Sequence, residues 1–231
     1  MAAGLSHPGS LGAASRQALQ QVAGQEWSGD FYLAGSAALA LYLGHRPVRE
    51  LDLMGVNRLT SPDRRDLLQQ LLLLDPGLRV ETARDGFLSV RFASQVGMRL
   101  YYYPYPLIDP EEVFEGVAVA SLLDLALMKL GAITSRGSRR DYADLYLASR
   151  RLPLAEMLER SPEKFGHVRD FPLQALKGLA DLGVAGEEPL PSFEPPLDWR
   201  EVERFVAGEV RDLARAAVGL EGDAPPPRPG Q

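Results

Sequence analysis

Four residues near the start of the chain have the types and spacing for chemistry on phosphates: Gly35 and Ser36, then 13 residues, then Glu50 and Asp52. Phosphoryl transfer asks little covalent chemistry of a protein. It needs a triphosphate held in place, its charge neutralised and an attacking group set in line. A Gly-Ser turn lets backbone approach a phosphate closely, and a helix starting there offers unpaired N–H groups and the positive end of a dipole. Glu50 and Asp52, at i and i+2, share one face of an extended segment with backbones about 6 to 7 Å apart, close enough to share a hard cation such as Mg²⁺. Each feature also has a plain structural role, since Gly-Ser caps helices and acid-x-acid on a strand faces solvent.

The elements that must position these residues are legible from periodicity. Residues 11–22 are Ala- and Gln-rich with apolar positions at helical spacing, stopped by Gly24. Residues 31–34 form a short apolar run that ends in Gly35-Ser36, and residues 37–43 are strong helix formers closed by Gly44, which predicts strand, tight turn and helix. The Glu-Leu-Asp-Leu-Met run at 50–54 alternates, so a strand there turns both acids to one side and both Leu to the other. Ser61-Pro62 reads as an N-cap and first-turn Pro of a Leu-rich helix that ends before Asp75-Pro76-Gly77. Residues 78–82, 87–92 and 98–103 predict three further strands, completing the sheet.

From Val117 onward the pattern reads as helical. Ser121 with Asp124, Ser138 with Asp141 and Asp198 with Glu201 mark three helix starts. Residues 183–196 read as a long connection before an amphipathic helix carrying Val202, Phe205, Val206, Val210 and Leu213 on one stripe. Residues 223–231, with four Pro, predict a disordered tail. The expected organisation is a sheet-containing core over 1–115, a helical region over 116–222 packed on it, and the tail.

Within the helical region, Lys129 falls on the same stripe as Leu122, Leu125 and Ala126, so its ammonium lies beside a face expected to be buried and needs an anion. It either contacts a phosphate or runs its stem past the core to solvent. Asp141 is the third-position acid of the helix capped by Ser138, whereas Asp144, one turn on, has no capping duty and is the stronger functional candidate. His45 and Arg46 lie in the loop entering the acidic run, where Arg46 either touches a phosphate or holds the loop. Tyr101, Tyr102, Tyr103 and Tyr105 either stack on a base or fill the core.

The chain has 231 residues, 45% of them hydrophobic, which suffices for a substantial core. With no Cys, disulfides and thiolate metal sites are excluded, and any metal must bind oxygen or one of three His. A net charge of -6 argues against a broad nucleic-acid surface, while Arg136, Arg139, Arg140 and Arg150 could form a local basic patch. Neither an export signal at residues 1–20 nor a membrane span is read, so a cytoplasmic protein with no membrane partner is expected.

In order and spacing, Gly35-Ser36 followed by Glu50-Leu51-Asp52-Leu53 resembles the signature of the polymerase-beta-like nucleotidyltransferase superfamily. The string Tyr32-Leu33-Ala34-Gly35-Ser36-Ala37-Ala38-Leu39-Ala40-Leu41, with Gly44-His45-Arg46, is similar to the AbiEii/AbiGii toxin family within it. So are Tyr103-Pro104-Tyr105-Pro106-Leu107, Lys129-Leu130, Arg136 and the Arg140-Asp141-Tyr142-Ala143-Asp144 block. The resemblance spans roughly 28–167. It implies an α+β fold, with a small mixed sheet flanked by helices and a helical C-terminal region closing a cleft. It further implies a toxin-like enzyme of a type IV toxin–antitoxin system that moves a nucleotidyl group from an NTP, with Mg²⁺ or Mn²⁺, to a macromolecular acceptor such as tRNA or a protein, opposed by a cognate antitoxin. On this reading Glu50 and Asp52 hold metal, Gly35, Ser36 and Arg46 meet phosphates, Lys129 neutralises charge, and Asp141 and Asp144 organise the nucleotide site. The match departs in two places: Glu50 stands where Asp is more usual, and residues 98–103 lack a third acid, with Arg99 or Tyr101 in its place. A catalytically silent nucleotide- or partner-binding module of the same fold, and a small-molecule nucleotidyltransferase, are the alternatives.

Overall fold

The acid-bearing run forms β2 (Glu50–Gly55), the middle strand of a seven-stranded mixed sheet in a computed structural model that describes residues 4–186 and 188–217. The alternation works as expected: Leu51 and Leu53 are fully buried on one side, leaving Glu50 and Asp52 on the other. β1 (Tyr32–Ala34) runs antiparallel to β2, placing Ala34 opposite Asp52. On the other flank β5 (Gly97–Tyr102) runs parallel to β2, with Arg99 opposite Asp52, and β4 (Phe87–Arg91) and β3 (Arg79–Arg84) follow as an antiparallel meander.

The sheet does not end there. Glu112–Phe114 (β6) and Val117–Val119 (β7) form a hairpin whose second strand pairs parallel to β1, so residues read as the start of the helical region extend the sheet. The signal was weak for two physical reasons. Three-residue strands are too short for a period of two to show, and the turn at Glu115 and Gly116, both at positive φ, lacks the usual Asn-Gly or Asp-Gly pair. Glu115 is held instead by Arg16 and Gln20 of the opening helix α1 (Ala13–Ala23).

The helices α2 (Gly35–Leu43) and α3 (Ser61–Leu74) arise within the sheet region, and α4 (Leu122–Ser135) and α5 (Arg139–Ser149) follow it. α4 and α5 start as predicted, with the Ser121 and Ser138 side chains accepting from the Asp124 and Asp141 backbone N–H groups. For α3 the cap lies one residue earlier than expected. Thr60 and Asp63 make the reciprocal box, which leaves Ser61 as the first helical residue.

α6 (Leu154–Phe165) and α7 (Phe171–Ala180) lie where no helix start is predicted from the sequence, although Asp170 and Pro172 stand at the head of α7. α6 carries Pro162 inside it and α7 opens on Phe171-Pro172, where proline more often marks a boundary. α8 (Trp199–Ala217) buries Val202 and Val206 on the expected stripe, packing with α5 and α7. Among the described residues no helix is long and apolar enough to cross a membrane. The predicted tail at 223–231 lies outside the described residues.

Candidate active site

β1 runs directly into α2, and the junction is Gly35. Its φ of +61° is left-handed backbone that favours glycine, and a Cβ there would fall 2.2 Å from Asp52 Oδ2. Glycine is thus required twice, by backbone and by space, so that the first turn of α2 can lie against the Asp52 carboxylate. Gly35, Ser36 and Asp52 line one cleft together, and the first N–H groups of a helix have no intrahelical partner.

The cleft has a volume of about 690 Å³. Arg99, Lys129, Arg136, Arg140, Asp141 and Glu188 also line it, and Tyr103, Tyr105, Phe165 and Phe171 form an aromatic wall. Along that wall the ring centroids are 4.9 Å apart for Tyr103–Tyr105 and Tyr105–Phe165, and 4.1 Å for stacked Phe165–Phe171. Tyr101 also lines the cleft.

Asp52 is buried and faces Arg99, whose Nη2 donates to Oδ2 at 3.0 Å while Nε lies 2.7 Å from Oδ1. Burial pushes the Asp52 carboxyl above its ordinary pKa, against the pull of Arg99 and Lys129. Lys129, also buried, does not run to solvent. Its Nζ sits 2.7 Å from Asp144 and 3.1 Å from Asp141, and these two acids keep its pKa above the usual lysine value despite the burial. The anion that this cation requires comes from the protein itself.

Asp141 does both jobs that its position suggested. It accepts from the Ser138 hydroxyl at 2.7 Å at the head of α5, and it binds Lys129 and Arg136. Asp144 lies beneath the cleft rather than on its wall. Fully buried, it accepts from the Ser36 hydroxyl at 3.1 Å, meets His45 Nε2 at 3.2 Å and holds Lys129. It is therefore a positioning residue for Ser36 and Lys129.

Two predicted residues are placed elsewhere. Arg46 reaches Asp144 at 3.8 Å and lines a separate hollow with His7, Ser10 and Glu194; its Nε and Nη2 are buried without hydrogen-bond partners among the described residues, and burial lowers its pKa. Glu50, on the same side of β2 as Asp52, lies against Gly97 and outside the cleft lining. It accepts from Arg91 Nη1 at 3.2 Å, and Arg91 in turn pairs with Glu81.

Asp52 and Glu50, on one side of β2, carry the hard oxygen donors that suit a divalent cation, although Asp52 alone of the two lines the cleft. Among the described residues no three acidic or His side chains gather as a metal site, and the place across from Asp52 on β5 belongs to Arg99. In the sequence Arg99 is one of two residues, with Tyr101, standing in place of a third acid; its pairing with Asp52 depends on strand register, which no local pattern encodes.

Among solved structures, a protein of H. pylori assigned as a nucleotidyltransferase shares this fold at a TM-score of 0.51 and 16% identity, over 91% of this chain and 98% of that one. JHP933 from Helicobacter pylori superposes less well, at a TM-score of 0.40 and 14% identity over 90% and 99% of the two chains. In sequence, the uncharacterized protein aq_aa25 of Aquifex aeolicus (strain VF5) is 30% identical over 203 residues, covering 85% of this chain and 94% of the relative. The family model for the nucleotidyl transferase AbiEii toxin, type IV TA system, matches residues 17–219. A match running from α1 through α8, with the glycine turn, Asp52 and Lys129 in one cleft, means that the chain belongs to the AbiEii nucleotidyl transferase family.

Proposed function

We propose that this protein transfers a nucleotidyl group from an NTP to a macromolecular acceptor, RNA such as tRNA or a protein, and that it acts in the cytoplasm as a toxin restrained by a cognate antitoxin. Family membership supports the reaction class. The observation that carries the reading is the meeting in one cleft of the α2 N-terminus at Gly35 and Ser36, the Asp52 carboxylate and the Lys129–Asp141 pair. In the reaction, an acceptor hydroxyl oxygen bonds to the α-phosphorus, the bond to the pyrophosphate oxygen breaks, and the hydroxyl proton is released.

Asp52, with Glu50, would hold one Mg²⁺ or Mn²⁺. Such an ion, when bound, draws charge from the phosphate oxygens. The chain's own residues orient the substrate. The first-turn N–H groups of α2 bind phosphate oxygens, and Asp144 keeps the Ser36 hydroxyl and Lys129 in place. The aromatic wall from Tyr103 to Phe171 offers flat apolar surface to a base and excludes water from it.

Incubating the protein with each labelled NTP, Mg²⁺ or Mn²⁺ and total RNA tests the reading. Label should move to RNA with wild type and not with Asp52→Ala. Equal transfer by the two proteins rejects the assigned site. The second reading, a silent nucleotide-binding module, is favoured by Arg99 standing where a third acid would be. Calorimetric NTP binding without turnover on any acceptor supports that reading, and covalent transfer ends it.

A further inference from the structure

Arg99 lies directly across from Asp52 in the parallel β2–β5 ladder, with Ser89 of β4 on its far side. A guanidinium–carboxylate pair serving only to hold strands together normally closes two parallel hydrogen bonds. Here one is made, from Nη2 to Oδ2. The Nε–H and Oδ1 sit 2.7 Å apart yet out of line, so among the described residues both are buried polar atoms without a hydrogen-bond partner.

Arg99 keeps donors in reserve. A guanidinium has five N–H groups, and Asp52 takes one of them in an aligned bond. The side chain is 33% exposed and lines the same cleft as Gly35, Ser36 and Lys129. Its carbon lies 6.0 Å from the centre of the Tyr101 ring, which supports the guanidinium from one side. Two neighbouring cations are more committed: Lys129 is held by two acids and Arg136 is bound to Asp141. Arg140 of α5 lines the cleft as well, but Arg99 is the cation that stands directly beside Asp52, and its planar donor fork matches phosphate oxygens.

We propose that Arg99 is a resident triphosphate-binding cation that takes the place of a second metal ion, so that nucleotide binding in this cleft uses one divalent ion. This rests on the nucleotidyl-transfer reading of the cleft. The charge that other sites recruit from solution as a second ion is here covalently part of β5, directly beside the carboxylate that a first ion would use.

The α,β-methylene analogues of the four nucleoside triphosphates report binding without turnover. With a saturating analogue, electron paramagnetic resonance should find one Mn²⁺ retained per wild-type chain. Arg99→Asp, which sets a third carboxylate across from Asp52, should retain a second. Calorimetry at saturating Mn²⁺ should show analogue binding about tenfold weaker in Arg99→Gln, with Arg99→Lys between the two. Thermal melting confirms folding, and the Gln and Lys variants suffice should Arg99→Asp be unstable. Two Mn²⁺ on the wild type, or undiminished affinity in Arg99→Gln, overturns the proposal and leaves the nucleotide reading standing. A wild type that binds none of the four analogues overturns both.

Discussion

The Ser36 hydroxyl donates to Asp144 Oδ2 at 3.1 Å across 108 residues of sequence. Ser36 lies in the first turn of the helix that follows the first strand, and Asp144 belongs to the second helix after the sheet, so this bond ties the glycine turn to the helical layer. The same carboxylate holds Lys129 at 2.7 Å. One buried acid thereby sets two residues of the cleft wall without reaching the cleft.

Removing that acid leaves Lys129 buried with Asp141 as its remaining carboxylate. Breaking a buried pair from one side costs about 3 to 5 kcal/mol. Asp144→Ala should lower the unfolding free energy by that order in urea titrations. A loss below about 1 kcal/mol would show that the pair does not hold α4 and α5 together.

Gly35→Ala should weaken nucleotide binding, because the added methyl collides with Asp52 and the left-handed backbone is strained for any L side chain. Gly29→Ala, where nothing lies within 4 Å, is the matched control and should bind as wild type does. Calorimetry with an NTP analogue reads both. Equal affinity in the two variants would refute a close approach of backbone to phosphate at Gly35.

Acid should destabilise the fold through Asp141 and Asp144. Burial alone would raise their carboxyl pKa values; Lys129, aided by Ser138 and Arg136 at Asp141 and by His45 and Arg46 at Asp144, brings both below the ordinary value of 3.8. A carboxyl with a depressed folded pKa stabilises fully above its unfolded pKa and loses that contribution as pH falls toward the folded value. The melting temperature should therefore hold down to about pH 5 and fall below about pH 4. Asp144→Asn should start lower and fall less steeply. Parallel acid profiles for the two proteins would exclude Asp144 as a source.

A second buried pair lies outside the cleft. Lys164 Nζ donates to Asp124 Oδ1 at 2.7 Å and to the Pro106 carbonyl at 2.6 Å, and Asp124 also accepts from the backbone of Ile108 and Asp109. Both side chains are fully buried, so the pair clamps the loop after β5 between α4 and α6. Lys164→Ala should cost about 3 kcal/mol or more in chemical denaturation. Asp124→Asn should cost less, since the amide keeps a carbonyl acceptor for the loop. A reversed order would point to the ammonium as dispensable.

Much of the local design is legible from residue types alone. The two leucines of β2 turn to one face and its two acids to the other because strand side chains alternate, and glycine suits the strand-to-helix junction at 35 because the backbone there is left-handed. Ser121 and Ser138 cap α4 and α5 because a hydroxyl can satisfy a first-turn N–H. Each of these depends on a few consecutive residues, and so the sequence by itself determined them.

The partners of those residues were decided elsewhere. Asp52 meets Arg99, 47 residues on, only through the β2–β5 register; Glu50, two positions earlier, is drawn to Arg91 by the next strand over. Lys129 is neutralised by Asp141 and Asp144 because α4 and α5 pack together, and Arg46 falls behind Asp144 rather than in the cleft. Periodicity tells which way a side chain points from its own element. What stands opposite it follows from how strands and helices far apart in the chain settle against one shared core, and that is information only the tertiary structure holds.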